Sequence, residues 1–426
     1  MSQTLNETPL GSRLHIGIFG RRNAGKSSLI NALTNQEAAI VSEVPGTTTD
    51  PVRKAMEIQP LGPVVIIDTA GIDDTSVLGE ARVRHTLRVL ERTDLALLVL
   101  DPQAGVDRYE DDLADRITGA NVPLIAVVNK RDLGLDDGAL VAWAVRRGVP
   151  LARCSAKTGE GIDIVKSVLV KHAPSGWIMP TILGDLIRPG DAVVLVVPVD
   201  KAAPKGRLIL PQVMTIRDII DNDAYSIVVK ERELRHCLST LNRRPALVVT
   251  DSQALLKASA DTPAEVPFTS FSILFGRYKG DLEALARGAR AVDDLRPGDK
   301  VLIAEACTHH PVADAIGQVQ IPRWLRQHVG GELDFTWVAG QDYPADLSPY
   351  RLIVHCGGCM INRQEMLSRI NRAQRAGTPI VNYGVLLARI HGVIERALKP
   401  FPLALLAYGH EEDAWLPTGL PLAAPR

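Results

Sequence analysis

Several short stretches carry residue types at spacings that could do chemistry. "GRRNAGKS", Gly20 to Ser27, fits G-x-x-x-x-G-K-[ST]. Gly20 and Gly25 let the backbone curl until its N–H groups face phosphate oxygens. Lys26 would reach the β- and γ-phosphates, and Ser27 would bind Mg²⁺. "DTAG", Asp68 to Gly71, would add Asp68 for Mg²⁺, through water, and the Gly71 N–H for the γ-phosphate. "PGTTTD", Pro45 to Asp50, lies between these two stretches, where a switch loop belongs, and offers Thr48 to sense γ-phosphate and Mg²⁺. "NKRD", Asn129 to Asp132, selects the base. Its Asp132 carboxylate can accept from guanine N1–H and N2–H₂, whereas adenine would leave that carboxylate unpaired and desolvated. "CSAK", Cys154 to Lys157, can offer a backbone N–H to guanine O6. In this order the elements predict GTP/GDP and not ATP. The expected nucleotide-binding set is Gly20, Asn23, Gly25, Lys26, Ser27, Ser28, Asn129, Lys130, Asp132, Ser155, Ala156 and Lys157. Lys26, Thr48, Asp68 and Gly71 form the expected catalytic set, with Ser27 and Thr48 on Mg²⁺.

A different chemistry is written near the other end. "EACTHHP", Glu305 to Pro311, and "HCGGC", His355 to Cys359, bring together Cys307, Cys356 and Cys359 with the imidazoles of His309, His310 and His355. Each stretch follows an apolar strand-like run, and neighbouring strands of an open parallel sheet end on one crevice. The Gly357-Gly358 pair lets the loop tighten until both thiolates face one centre. Three readings are open: structural zinc held by Cys₃His, a redox dithiol at Cys356/Cys359, and an iron–sulfur cluster on three thiolates. Three cysteines cannot fill four corners of a [4Fe–4S] cube, so one iron would remain for His, water or an incoming group. His309 and His355 are the candidate extra ligands. Cys154 and Cys237 are expected to be ordinary buried residues.

The elements that must position these residues alternate in an α/β rhythm. "LHIGIFG", "VVIIDTAG", "LALLVLD" and "PLIAVVNK" read as buried strands, and "KSSLINALT" and "VRHTLRVLERT" as helices between them. That predicts an N-terminal P-loop domain with a mostly parallel sheet over residues 1–172. Two smaller α/β domains are expected to follow, at 177–264 and 268–426, separated by the Pro- and Gly-bearing "HAPSGWIMP" and "SADTPAEVP". The chain has 426 residues, 46% hydrophobic and 23% charged, with formal net charge −1, so the total advertises no basic face for nucleic acid. Neither a secretory signal pattern nor a membrane-length apolar run is present, and a cytoplasmic, reducing setting is expected.

The N-terminal motifs, "GRRNAGKSSLINAL", "PGTTTD", "DTAG", "NKRD" and "SAK", resemble the translation-factor-like GTPases of the TrmE/Era group. That resemblance implies a K⁺ site at Asn23, where such a cation would spread transition-state charge. It also implies slow intrinsic hydrolysis, since Ile72 stands where Ras-like proteins carry a catalytic Gln. With "CTH", "HCGGC" and "VDKAAPKGRLILPQV" added, nearly the whole chain resembles the HydF family of [FeFe]-hydrogenase maturation GTPases. The resemblance implies GTPase, dimerisation and cluster-binding domains, a homodimer, and a [4Fe–4S] cluster. It further implies a scaffold and carrier that receives a di-iron precursor whose ligands come from two radical-SAM maturases and passes it to apo-[FeFe]-hydrogenase. A tRNA-modification or ribosome-assembly GTPase with structural zinc is the alternative.

Overall fold

Strands buried on both faces need helices on both sides, and the N-terminal half has them. The computed structural model describes residues 8–34, 42–44, 53–58, 61–69, 88–174, 181–198, 208–306, 316–340 and 342–409. It divides into two compact units, Met1–Met179 and Pro180–Arg426.

The first unit holds a seven-stranded sheet. Its strands are β1 (Leu14–Gly20), β2 (Ser42–Val44), β3 (Arg53–Ile58), β4 (Gly62–Asp68), β5 (Leu95–Leu100), β6 (Leu124–Val128) and β7 (Leu151–Arg153). They lie in the order β2-β3-β4-β1-β5-β6-β7, parallel except for β2–β3 and β3–β4. Alternate residues feed two cores. Leu14, Ile16 and Ile18 pack with Leu29, Ile30 and Leu33 of α1 (Lys26–Thr34) on one face. Phe19 packs with Leu113 and Ile117 of α2 (Arg108–Gly119), and with Leu140 and Trp143 of α3 (Gly138–Arg147), on the other. The expected α/β class with an N-terminal P-loop sheet is therefore what the chain adopts. Of the expected helix at 83–93, residues 88–93 are described: 88–90 are helical, and the chain has already left the helix at 91–93.

The second unit contains two parallel four-stranded sheets. One joins β8 (Ala192–Val196), β9 (Tyr225–Val229), β10 (Leu247–Thr250) and β11 (Phe268–Ser270) in the order β11-β10-β8-β9. Phe268–Ser270, which follows the expected boundary stretch at 259–267, thus completes the earlier sheet before α4 (Phe271–Lys279) leads onward. The other sheet joins β12 (Lys300–Glu305), β13 (Asp334–Ala339), β14 (Leu352–His355) and β15 (Ile380–Asn382) in the order β13-β12-β14-β15. The chain goes from β12 outward to β13, then crosses back to β14 on the opposite side of β12. The crevice at a parallel sheet's reversal point opens between those two strands, at their C-terminal ends.

Candidate nucleotide and cysteine sites

The nucleotide motifs converge at the C-terminal edge of the first sheet because each lies just past a parallel strand. After β1, Gly20 has φ 139°, Asn23 φ 62° and Gly25 φ 91°, so the loop needs left-handed backbone at three of six positions. Lys26 is buried, and its Nζ donates to the carbonyls of Gly20 and Arg21, both at 2.8 Å. Ser27 Oγ donates to Asp68 Oδ2 at 3.2 Å, so the two expected Mg²⁺ groups stand side by side. Thr48 and Gly71 lie outside the described residues.

Asn129, only 2% exposed, ties the phosphate and base halves together. Its Nδ2 donates to Ala24 O at 3.0 Å, and its Oδ1 accepts from Ala156 N at 2.9 Å. A Cβ on Gly25 would lie 2.2 Å from Asn129 Nδ2, so close approach as well as backbone geometry requires glycine there. Ser155 Oγ donates to Asp132 Oδ1 at 2.6 Å, which orients the exposed carboxylate for a base edge. Lys130 adopts φ 61°, and its Nζ reaches Asp101 Oδ2 at 2.6 Å. Ser28 and Lys157 are solvent-exposed beside the site. Asn129→Ala should weaken GTP binding about 10- to 100-fold, since two buried hydrogen bonds that hold neighbouring loops are lost at roughly 1–3 kcal/mol for the groups left unsatisfied. Titration with a fluorescent GTP analogue checks this; affinity within twofold of the parent would refute it.

Sequence reasoning missed one clamp on this loop. Arg21 Nε donates to Glu110 Oε1 at 2.6 Å and Nη2 to Oε2 at 2.9 Å, and the guanidinium also pairs with Asp107 and lies over the Tyr109 ring. Hydrogen bonds to these carboxylates raise the Arg21 pKa further. Asp107 and Glu110 are themselves the capping box of α2, so the phosphate loop is tied to a helix start. Arg21 occupies an unspecified position of the motif, which is why its role gave no sequence signal.

The cysteine site sits at the β12/β14 reversal point. Ala304 pairs with His355, and Cys356 N donates to Ala304 O at 2.9 Å. Cys356 Sγ accepts from Ala306 N at 3.1 Å and from Gly358 N at 3.5 Å. Gly358 has φ 64°, which turns the loop toward Cys359. Both cysteines are free thiols. Burial raises the Cys356 pKa; burial and the neighbouring Cys356 push Cys359 up to about 11, while the Lys279 charge pulls it the other way. Burial thus opposes a free thiolate at either cysteine, whether as a redox nucleophile or as a ligand before a metal arrives. A metal-bound thiolate accepting backbone N–H bonds is what the surroundings suit. Cys307, His309 and His310 lie outside the described residues, and no group of three ligating side chains gathers among the described ones.

His355 departs from its expected place among the candidate ligands. It is 0% exposed, its Nδ1 bonds to Cys356 O at 2.7 Å and its Nε2 to Arg369 Nη1 at 3.0 Å. Arginine only donates, so Nε2 accepts and Nδ1 carries the proton. Burial, then the Arg369 charge, lowers its pKa to about 3. With both nitrogens engaged, the neutral ring holds the Cys356 backbone and is not presented to a metal. Arg369 also bonds to Gly340 O at 2.6 Å and Glu365 Oε1 at 2.8 Å.

Comparison with known proteins follows this division of chemistry. Residues 15–130 match the model for a 50S ribosome-binding GTPase. Residues 182–280 match the hydrogen maturase F dimerization domain, and residues 283–400 the hydrogen maturase F tetramerization domain. The chain belongs to the hydrogen maturase F family.

It is a P-loop GTPase whose later domains are of that family's oligomerization types. The GTPase region is 40% identical over 159 residues to the tRNA modification GTPase MnmE of Chromobacterium violaceum, covering 37% of this chain and 34% of the relative. It is 42% identical over 161 residues to MnmE of Rhodospirillum rubrum, covering 38% and 33%. The chain thus spans about a third of the length of the curated relatives it matches. Among solved structures, the G domain of the T. maritima FeoB iron transporter is 22% identical, with TM-score 0.30, covering 38% of this chain and 99% of that one. Aquifex aeolicus Era is 21% identical, with TM-score 0.32, covering 54% and 98%. Among the described residues, no helix is long and apolar enough to cross a membrane.

Proposed function

We propose that this chain is a GTP-hydrolysing scaffold and carrier in [FeFe]-hydrogenase maturation. It binds a [4Fe–4S] cluster through Cys307, Cys356 and Cys359, accepts a di-iron precursor, and delivers it to apo-[FeFe]-hydrogenase. Two radical-SAM maturases are its partners upstream, and it works as a homodimer. One observation carries the reading: a half-buried Cys356 thiol, already accepting two backbone N–H bonds, stands at the reversal point of the third sheet, on the strand beside the one that leads to Cys307. The donor set suits soft-metal thiolate ligation, and the cluster would supply an iron open to exchange. With His355 engaged elsewhere, His309 is the remaining imidazole of the proposed ligand pair.

In the GTPase site, Lys26 binds the β- and γ-phosphates, Ser27 and Thr48 hold Mg²⁺ with Asp68 behind water, and Gly71 N–H meets the γ-phosphate. Asp132 reads guanine, and Asn23 holds K⁺, which raises a slow intrinsic rate. The working division is 1–172 for the switch, the expected 177–264 domain extended to take in β11 and α4 for dimerisation, and the rest of the chain for the cluster. Nucleotide state biases partner contact, because cluster transfer needs no phosphoryl transfer.

Anaerobic reconstitution with iron and sulfide, followed by EPR and iron–sulfide analysis, tests the proposal. Cys307→Ser, Cys356→Ser and Cys359→Ser should each lose most of the bound iron and the brown colour. Zinc bound without a chromophore, or undiminished iron in all three variants, would sink it.

A further inference from the structure

The cysteine loop is gripped by a residue from the other sheet's side of the unit. Lys279 is the last residue of α4, which follows directly from β11. It is 0% exposed. Its Nζ donates to Ile361 O at 2.7 Å and to Cys359 O at 3.3 Å. A second cation works in the opposite direction. Arg363, which opens α5 (Arg363–Arg375) just beyond the loop, donates from Nη1 to Tyr278 O at 2.8 Å, Gly280 O at 3.2 Å and Arg277 O at 3.3 Å. The end of α4 and the turn after Cys359 are therefore cross-tied by two cations on carbonyl oxygens.

We propose that Lys279 is a positioning residue for the metal site: its ammonium fixes the turn carrying Cys359 and holds positive charge against the thiolate ligands. Ordering a short Gly-bearing turn otherwise depends on weak local contacts, and charge-assisted bonds to two of its carbonyls remove that freedom. A buried ammonium acts strongly on negative charge held close to it, because a dry interior screens it little. The same charge makes electron addition to the cluster easier, because groups around the first ligands set its potential. Lys279 lies within the matched dimerization region, and the loop within the tetramerization region. The lysine is thus a direct physical link between those two segments. The inference rests on the cluster reading above for its electrostatic half, and on the apo-protein geometry for its positioning half.

Three variants separate these halves. In apo-protein, K279M should raise amide exchange several-fold across residues 357–362, with an unchanged far-UV spectrum. In anaerobically reconstituted full-length protein, K279Q can still donate to the carbonyls but lacks the charge, and its cluster should have a lower midpoint potential by EPR-monitored titration. K279R should restore the wild-type potential. Equal midpoints for K279Q and wild type, or equal shifts in K279Q and K279R, overturn the electrostatic role. Unchanged loop exchange in K279M overturns the positioning role. Absence of iron and sulfide from the wild type overturns the cluster reading itself and the electrostatic role with it, and the apo-protein exchange still decides positioning.

Discussion

Asp132→Asn should lower GTP affinity by about 100-fold or more. The carboxylate can accept two guanine N–H bonds at once, and Ser155 Oγ already holds one of its oxygens at 2.6 Å. Hydrogen bonds to a charged group contribute roughly 1.5–3 kcal/mol each, and about 1.4 kcal/mol is tenfold in affinity. The asparagine amide keeps one acceptor and turns an N–H₂ toward a second guanine donor, so one bond becomes a donor–donor clash. Xanthine carries a carbonyl where guanine carries its amino group. The variant should therefore bind xanthosine triphosphate better than GTP. Competition titrations with both nucleotides give the answer, and a loss of GTP affinity under tenfold would show that the base is read elsewhere. Ser155→Ala should produce a smaller loss in the same assay, because it frees the carboxylate without removing it.

The GTPase site was legible because its parts are local. "GRRNAGKS", "NKRD" and "SAK" are each a few contiguous residues that follow a strongly apolar strand, so identity and position could be read together. What joins them was not legible. Asn129 could be assigned to the base loop, but its bond to Ala24 spans 105 residues and exists only because β1 and β6 flank β5. Short elements were also hidden. Leu151–Arg153 and Phe268–Ser270 have three residues each, too few to show a period, and their strand character comes from the neighbour they pair with. At the cysteine site, spacing gave proximity in sequence but not ring orientation. His355 precedes Cys356 and so looked like a ligand, yet its ring lies between a backbone carbonyl and Arg369. Lys279 and Arg369 end or line helices whose charges would ordinarily be solvated, and only packing makes them interior.

That interior position makes Arg369→Met the most damaging single change expected outside the nucleotide site, at about 3–5 kcal/mol of stability. The guanidinium is 4% exposed and bonds at once to Glu365, to Gly340 O and to His355 Nε2, with the Tyr343 ring 5.1 Å away. Glu365 is 7% exposed, so removal of Arg369 takes a charged donor from a carboxylate in a dry site. The cost comes mainly from the poorer compensation of that carboxylate and from the lost donor to His355, not from a large intrinsic contribution of the ion pair. A double change, Arg369→Met with Glu365→Leu, should accordingly recover much of the loss, as replacing both members of a buried pair often does. Urea unfolding followed by a probe in the second unit measures both variants. If the double variant is as unstable as Arg369→Met alone, the under-compensated carboxylate is not the cause. The bonds to His355 and Gly340 would then carry the effect, and Arg369 would act chiefly by holding the strand end from which Cys356 projects.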